Sequence, residues 1–530
     1  MQDEDVTSTQ VEPSATSPDR TTPSRRTGWA WVAGVVAGMS GLAIAELVTW
    51  LVAPLGSPLS AVGSSVINLL PPSLINFGKE TLGFADKPVL LVLVGVVALV
   101  ISGVSGRLEY ARPWAGVVGP LLLAVLSIIA ISQQPDVSGT TYAPVIIGLP
   151  VAYVILRLLI SRLRLFATSL PGPDSTTDRR RFLIMTGAVA AASVFVGGAS
   201  RVMASGKSMA LQARSMIKLP APAEPAPVVP SGADLKINQL TPYVTANDTF
   251  YRIDTALQVP IVNPADWSLR IIGMVEREVE ITFDELLRLP LSEFYVTLTC
   301  VSNEVGGNLA GNAKWLGYPI RELLSRAGPK PGADMVLSRS VDGFTAGSPL
   351  SALTDPDRDA IVAVGMNGQP LPAEHGFPAR LVVPGLYGYV SATKWVSELK
   401  VTSYADDEAY WTPRGWSARG PLKLASRIDT PSGDVKAGRV AVAGVAWAQH
   451  TGISQVEVRV DNGPWRKARL ADAVSADTWR QWVYEWDASP GEHRLTVRAT
   501  DTDGLVQTSV EAPPAPNGST GWHSVTVQVN

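Results

Sequence analysis

Residues 293–308 read Glu-Phe-Tyr-Val-Thr-Leu-Thr-Cys-Val-Ser-Asn-Glu-Val-Gly-Gly-Asn, and the interpretation of the second half of the chain depends on this stretch. The run up to Thr299 is rich in aromatic and β-branched residues, which predicts a strand. Cys300 ends the run and enters a polar, glycine-rich loop. A thiol at the mouth of a strand is well placed as a soft metal ligand or a nucleophile. The alternative is a small buried apolar residue, which is the usual fate of a lone cysteine.

The composition narrows the class of protein. Cys300 is the only cysteine in 530 residues, which excludes an internal disulfide framework, a four-cysteine zinc site and a cysteine-ligated iron–sulfur cluster. A net charge of −3 leaves no basic footprint for nucleic acid, so no nucleic-acid partner is expected. Charged residues make up only 17% of the chain, against roughly 25% in a typical soluble protein. The low charge predicts a membrane portion.

Five apolar, uncharged runs in the first 200 residues predict a five-span α-helical transmembrane bundle over residues 27–200. A hydrocarbon core of about 30 Å needs about 20 helical residues, and each run, with its extension, is long enough. The runs are 27–45 with an extension to about 55, 88–106, 113–135, 137–153 with an extension to 156, and 182–200.

The distribution of Lys and Arg predicts the orientation of the spans. Arginines precede the first run, separate the second from the third and fill the loop 161–181, whereas the opposite loops carry only Lys79 and Lys87. We therefore expect a cell-membrane protein with a disordered, cytoplasmic tail over residues 1–26. Everything after residue 200 is then extracytoplasmic.

The fifth run has a distinctive start, Asp178-Arg179-Arg180-Arg181-Phe182-Leu183. This pattern resembles a twin-arginine export signal, whose exporter carries folded, cofactor-loaded domains. The alternative is that the three arginines only anchor a helix at the cytoplasmic face.

Beyond the spans the composition changes. Residues 201–238 predict a stiff proline-rich linker. Residues 239–405, with short strands and short helices, predict an α+β domain. Residues 406–530 consist of strand-like runs of alternating apolar and polar residues, with turns at 461–463 and 503–504. This pattern is typical of an all-β immunoglobulin-like sandwich.

A second segment with chemical potential is residues 375–395, His-Gly-Phe-Pro-Ala-Arg-Leu-Val-Val-Pro-Gly-Leu-Tyr-Gly-Tyr-Val-Ser-Ala-Thr-Lys-Trp. A buried strand at 381–383 is flanked by His375 and Arg380 on one side and by Ser391 and Lys394 on the other. Glycines allow close backbone approach to an anion, and Arg, Lys and Ser donate to phosphate. The alternative is an ordinary strand between turns with two solvated cations.

Together, Thr-Leu-Thr-Cys300, the block 375–395 and Asn247-Asp-Thr-Phe-Tyr-Arg252 resemble the sulfite oxidase family of molybdopterin enzymes. The resemblance covers roughly residues 240–525. It includes the tail, with Trp482, Trp486 and the run 490–501, which looks like the family's immunoglobulin-like C-terminal domain. Because that domain is often a dimerisation module, the resemblance leaves a homodimer through it as one expected assembly.

The resemblance implies roles for individual residues. Cys300 would be the single protein thiolate on molybdenum, beside the dithiolene sulfurs of molybdopterin. His375, Arg380, Ser391 and Lys394 would hold the pterin and its phosphate. The residues placed against the cofactor or the substrate channel would be Asp248, Tyr251 and Arg252. The turn 389–394 is one residue longer than is usual in the family. The match of Ser391 and Lys394 to the family's cofactor-binding positions could therefore be off by one residue.

The expected activity is oxygen-atom transfer on a small-molecule oxo donor or acceptor of the sulfite, S-oxide or N-oxide class. Sulfite oxidases place an arginine shortly after the metal-binding cysteine, but residues 301–313 contain no arginine or lysine and offer Glu304 instead. Arg252, Arg339 or Arg414 could replace it in space. A neutral S-oxide or N-oxide therefore fits at least as well as sulfite.

No haem is expected in this chain, because residues 1–374 contain no histidine and no Cys-x-x-Cys-His motif occurs. Electrons would then pass through a separate partner. Two other hypotheses stay open from the sequence. One is a membrane-tethered immunoglobulin-like binding module with a vestigial catalytic domain. The other is a thiol hydrolase with Cys300 as nucleophile and His375 as base.

Overall fold

The computed structural model describes residues 23–52, 57–71, 74, 77–78, 81–82, 86–133, 139–168, 173–204, 214–257 and 259–530. Most of the tail predicted over residues 1–26 lies outside the described residues. The chain divides into two compact units, Met1–Ala204 and Ser205–Asn530, and each is described by itself.

The N-terminal unit is helical. Among its described residues, five helical segments are long and apolar enough to cross a membrane, namely Thr27–Val52, Asp86–Ala111, Ala115–Ser132, Gly139–Leu165 and Arg180–Gly198. The five predicted apolar runs are therefore helical. The sequence did not predict the shorter helix α2. The α-helices are α1 (Pro23–Val52), α2 (Pro58–Leu69), α3 (Asp86–Ala111), α4 (Val118–Ser132), α5 (Ala143–Thr168) and α6 (Pro173–Ala204).

Small residues bring these helices together. At Gly34 of α1, an added Cβ would overlap the backbone at Ser102 and Gly106 of α3. Gly41 of α1 lies in the same way against α5. Close backbone approach at small residues is typical of helices packed in lipid. The outer faces leave many large apolar side chains exposed, among them Leu93, Val97, Ile129 and Phe195.

The second unit begins with two β-sheets and short helices. The first sheet has the order β2-β1-β10-β5-β6, in which only β1 and β10 run parallel, and the second has the order β3-β4-β7-β8 with β9 also paired to β7. The elements are β1 (Ser268–Gly273), β2 (Val279–Thr282), α7 (Phe283–Leu287), β3 (Ser292–Thr299), β4 (Ala310–Pro319), α8 (Ile320–Ala327), β5 (Met335–Ser340), β6 (Thr345–Pro349), α9 (Leu350–Thr354), β7 (Ile361–Met366), β8 (Gln369–Pro370), β9 (Arg380–Val382), α10 (Gly388–Ser391) and β10 (Val396–Thr402).

Local sequence explains these elements. Thr282 and Glu285 form a reciprocal capping box that starts α7. In α8 the buried residues recur at helical spacing, and Gly328, with φ of 68°, ends the helix. All six residues of β7 are buried, as expected for a continuous apolar strand in the middle of a core.

Residues 425–530 form two four-stranded sheets that share one core. The sheet orders are β11-β12-β16-β15 and β14-β13-β17-β18. Val456, Val458 and Trp482 alternate with outward residues along their strands and fill the space between the sheets. The strands are β11 (Ala425–Thr430), β12 (Gly438–Trp447), β13 (Ile453–Val460), β14 (Arg466–Lys467), β15 (Arg469–Leu470), β16 (Arg480–Ala488), β17 (Gly491–Asp501) and β18 (His523–Val529).

The two connecting segments pack onto this unit. Trp411, Trp416 and Leu422 contact the core of the α+β part, so the sandwich itself begins at β11. In the proline-rich segment, the Ala223 amide donates to the Leu291 carbonyl at 2.7 Å, and Ala233 is buried in a cluster with residues of the sandwich. The described portion of this segment is therefore packed against both parts.

Candidate active site

Cys300 directly follows β3, where the antiparallel hairpin of β3 and β4 opens into a loop. The Cys300 amide donates to the Leu309 carbonyl at 2.9 Å, and the Asn303 amide donates to the Cys300 carbonyl at 3.1 Å. These two bonds fix both ends of the loop 301–309. The Cys300 side chain is buried, with 7% of its surface exposed.

Arg380, the first residue of β9, is a buried cation. Its guanidinium donates to the carbonyls of His375 at 3.2 Å and Ala392 at 3.3 Å, and it lies 5.1 Å from the centre of the Trp315 ring. Within the described residues no carboxylate lies at ion-pair distance from it. Burial lowers the pKa of Arg380 to about 10, so it stays charged at neutral pH. A buried charge without a counter-ion is costly, and an anion bound here would offset that cost.

His375 lies beside Arg380 and is 3% exposed. Its Nε2 is 3.0 Å from the Asn247 carbonyl, and because a carbonyl only accepts, Nε2 carries the proton. Burial and the neighbouring Arg380 charge lower the pKa of His375 to about 4. The imidazole is therefore neutral at pH 7, with Nδ1 as an acceptor.

Lys394 and Arg252 share one carboxylate that the sequence did not predict. The Lys394 Nζ and the Arg252 Nε each lie 2.8 Å from Oδ2 of Asp254. Lys394 also donates to the Glu374 carbonyl at 3.0 Å. Burial lowers the pKa of Lys394 to about 8, against the opposing effect of Asp254. Two cations on one carboxylate leave a net positive charge.

Tyr251 joins the cysteine to this cationic group. Its ring stacks on Phe250 at 5.2 Å, and burial, with the Cys300 charge adding to it, raises the pKa of its phenol, which stays protonated. A Cβ added at Gly388 would lie 3.7 Å from the Thr299 carbonyl and 3.8 Å from the Tyr251 hydroxyl. The end of β3, Tyr251 and the turn before β10 therefore meet at one place.

Two of the predicted residues have other surroundings. The Ser391 hydroxyl donates to the Tyr387 carbonyl at 2.9 Å within its own turn, and Asp248 is exposed. Next to Asp248 in the chain, the Asn247 carbonyl meets His375. Of the arginines considered as replacements near the substrate, Arg339 pairs with Glu398, and Arg414 lies over the Tyr410 ring at 3.8 Å.

The residues present fit a molybdopterin with a terminal phosphate. Arg380 lacks a counter-ion, Lys394 and Arg252 carry net positive charge, and neutral His375 offers a ring nitrogen. Among the described residues no group of three or more His, Cys, Asp or Glu side chains could hold a metal by itself. A metal carried by a dithiolene cofactor needs only one protein ligand, and Cys300 would be the thiolate for it.

A small cleft with a volume of about 20 Å³, room for about one water molecule, opens beside the Cys300 loop. One wall comes from the loop and Tyr387, and the other from the C-terminal sandwich. No arginine, lysine or histidine is among its lining residues, and Glu304 is the one carboxylate. The lining residues are Thr299, Asn303, Glu304, Val305, Gly306, Tyr387, Leu424, Ala425, Ser426, Trp447, Gln507, Ser519, Thr520 and Gly521.

Comparison with known proteins identifies the domain that contains this site. A family model described as "Oxidoreductase molybdopterin binding domain" matches residues 256–411. Mitochondrial sulfite oxidase of Mus musculus is 28% identical over 340 residues, which cover 54% of this chain and 62% of that enzyme. The NADH nitrate reductase of Solanum lycopersicum is 33% identical over 178 residues, covering 29% of this chain and 19% of that enzyme.

Among solved structures, the sulfane dehydrogenase SoxCD of Paracoccus pantotrophus is 24% identical, with a TM-score of 0.48. The alignment covers 55% of this chain and 82% of that one. The match to the mouse enzyme spans less than two thirds of its length. The matches place a molybdopterin-binding oxidoreductase domain at residues 256–411. Over about half of its length the chain is similar to sulfite oxidases.

Proposed function

We propose that this chain is a membrane-anchored molybdopterin oxidoreductase that transfers an oxygen atom to or from a small molecule. The observation that carries the proposal is that the charges of Cys300, the only thiol, and of the buried Arg380 both act on the buried Tyr251, with Cys300 and Arg380 inside the matched domain. A binding module with a vestigial catalytic domain is not favoured, because the metal-binding thiol and the buried cations are all retained.

Each residue has a defined task in this proposal. Arg380 and Lys394 bind the phosphate of the cofactor, and His375 orients the pterin through Nδ1, the ring nitrogen that Asn247 does not engage. The Cys300 thiolate holds the metal, and Tyr251 presents a neutral hydroxyl to the site. When bound, the molybdenum cofactor supplies the two-electron redox change that oxygen-atom transfer requires.

We propose a neutral S-oxide or N-oxide as the substrate class. The support is the stretch that follows Cys300, residues 301–313, which contains no arginine or lysine to bind an oxyanion. The nearby Arg427 is engaged with Asp429, the Gly307 carbonyl and the Thr241 hydroxyl, so it is not available to a ligand. Sulfite and other oxyanions should therefore bind weakly.

The remaining parts of the proposal concern placement and partners. The five apolar helices cross the cell membrane, the N-terminus is cytoplasmic, and the unit Ser205–Asn530 is extracytoplasmic. The chain has no haem, and electrons pass to or from a separate partner, which supplies them when an S-oxide or N-oxide is reduced. The C-terminal sandwich is immunoglobulin-like, and a homodimer forms through it.

The test is made on the full chain purified in detergent from a host that makes the cofactor. We expect close to one molybdenum per chain and turnover with methionine sulfoxide or a small N-oxide exceeding turnover with sulfite. Replacing Cys300 with Ser should abolish turnover per bound molybdenum, because a hydroxyl is a harder and poorer ligand. As mere core packing, the same change would cost about 1 kcal/mol of stability and leave chemistry intact. A wild-type chain without molybdenum would end the proposal.

A further inference from the structure

The loop that follows Cys300 is held from outside by the C-terminal sandwich. Nη1 of Arg427, on β11, donates to the Gly307 carbonyl at 2.7 Å. The Ser519 hydroxyl donates to the Asn303 carbonyl at 2.6 Å. These donors satisfy carbonyls at two separate points of the loop, and both donors lie more than 100 residues away in the chain.

Arg427 is itself rigidly held. Its Nε lies 2.6 Å from Oδ1 of Asp429, and its Nη2 donates to the Thr241 hydroxyl at 2.8 Å. The side chains of Arg427 and Asp429 are 9% and 7% exposed. The planar guanidinium thus uses all three of its nitrogens in fixed directions, which a lysine cannot reproduce.

The loop and the sandwich also fit closely at Gly306. The φ of Gly306 is 79°, and a Cβ added there would overlap the His523 ring. The His523 Nδ1 accepts the Ile428 amide at 2.9 Å, so the imidazole is held in place on its other side. A side chain at position 306 would push the loop away from the sandwich.

The strand before Cys300 is held from the same side. The side-chain amide of Gln449 donates through Nε2 to the Thr297 carbonyl at 3.0 Å and to the Thr299 hydroxyl at 3.2 Å. The Thr297 amide donates to the Asp477 carbonyl at 3.0 Å. Residues of the sandwich therefore contact the chain on both sides of Cys300.

We propose that the C-terminal sandwich positions the Cys300 loop for the chemistry of the site, with Arg427 and Ser519 as positioning residues. The proposed role in catalysis rests on the proposed function. By fixing the loop, the sandwich sets the direction of the Cys300 thiolate. It also fixes Asn303 and Glu304, which line the cleft. Separating the two parts would leave both the metal ligand and one wall of the cleft mobile.

Because Cys300 is the only thiol in the chain, its rate of alkylation measures how often the loop opens. The full chain is expressed without the cofactor, purified in detergent and treated with a thiol-alkylating reagent. We expect Arg427→Met and Ser519→Ala to react about tenfold faster than the wild type, since each change removes loop-anchoring hydrogen bonds. Arg427→Lys keeps the charge but loses the three directed hydrogen bonds of the guanidinium. Its alkylation rate should lie between those of the wild type and Arg427→Met.

The matched control is Arg439→Met, which breaks an exposed ion pair with Glu485 elsewhere in the same sandwich. It should react at the wild-type rate. Reaction is measured well below the melting temperature of each variant, and Ser519→Ala keeps the test valid if Arg427→Met does not fold. Wild-type rates in Ser519→Ala and in folded Arg427→Met would overturn the proposal. The measurement needs no molybdenum, so failure of the chain to bind the metal would refute the proposed function and not this result.

Discussion

At the scale of single residues, the site contains charges that the fold does not fully balance. Asp254 meets two cations, whereas Arg380 meets only backbone carbonyls and an aromatic face. A buried cation is retained against its desolvation cost where a ligand makes use of it. The cofactor phosphate is the anion that this position fits.

The first prediction concerns retention of the cofactor by Arg380. Arg380→Met removes the buried positive charge, so we expect molybdenum and pterin per chain to fall at least about tenfold. The stability of the metal-free chain should change by less than about 2 kcal/mol, because relief of desolvation opposes the loss of three hydrogen bonds to backbone carbonyls. Metal analysis and thermal unfolding give the two values. Arg270→Met, which breaks a surface ion pair with Glu398, is the control and should keep its molybdenum.

The second prediction concerns pH. The pKa of His375 is about 4 in the fold and about 6.5 when unfolded, so the unfolded chain binds more protons between these values. Above pH 6.5 His375 is neutral in both states and takes nothing from the free energy of unfolding. As the pH falls towards 4, the unfolded chain takes up a proton that the folded chain does not, so the free energy of unfolding falls by up to about 3 kcal/mol. His375→Gln should flatten this part of the stability profile of the metal-free chain, measured by denaturant unfolding. His493→Gln, at an exposed position, should leave the fall in place, and identical profiles in the wild type and His375→Gln would contradict the prediction.

At the scale of elements, Asp254 ties the segment around residues 247–254 to the start of β10. Replacing Asp254 with Asn leaves two cations around a neutral amide, and breaking a buried pair in this way costs about 3–5 kcal/mol. We expect a loss in that range in the metal-free chain by denaturant unfolding. Glu485→Gln, in the exposed pair with Arg439, should cost under about 0.5 kcal/mol. Equal losses of unfolding free energy in Asp254→Asn and Glu485→Gln would contradict the prediction.

The sequence predicted elements better than contacts between them. The aromatic and β-branched run up to Thr299 located β3, and the apolar run 381–383 located β9 to within a residue at each end. Those signals are local. The pairing of Asp254 with Lys394 and the bond from Arg427 to Gly307 join positions 140 and 120 residues apart, and no periodicity encodes them. Ser391 shows the same limit, since a hydroxyl suited to phosphate turns back to its own carbonyls.

At the scale of the whole molecule, the proposed membrane anchoring raises the question of which side of the membrane carries the unit Ser205–Asn530. The arginine-rich loops favour the extracytoplasmic side for this unit. A periplasm-active reporter fused after residue 205 should therefore be active, and a reporter active only in the cytoplasm would contradict the predicted topology.

The last prediction separates export from anchoring at Arg179, Arg180 and Arg181. Lysine at all three positions preserves the positive charge, so a helix that needs only a charged anchor keeps its orientation. A twin-arginine exporter distinguishes the guanidinium from an ammonium, because the two differ in shape and in their hydrogen-bonding fork. We expect the triple lysine variant to lose export of the folded unit, seen as loss of molybdenum-containing protein outside the cytoplasm. The control variant has lysine in place of Arg107 and Arg112, which are predicted to lie on the same cytoplasmic side. This variant should export the folded unit normally. Normal export of the triple variant would assign the three arginines to anchoring alone, and the unit would then have to cross the membrane unfolded and acquire its cofactor afterwards.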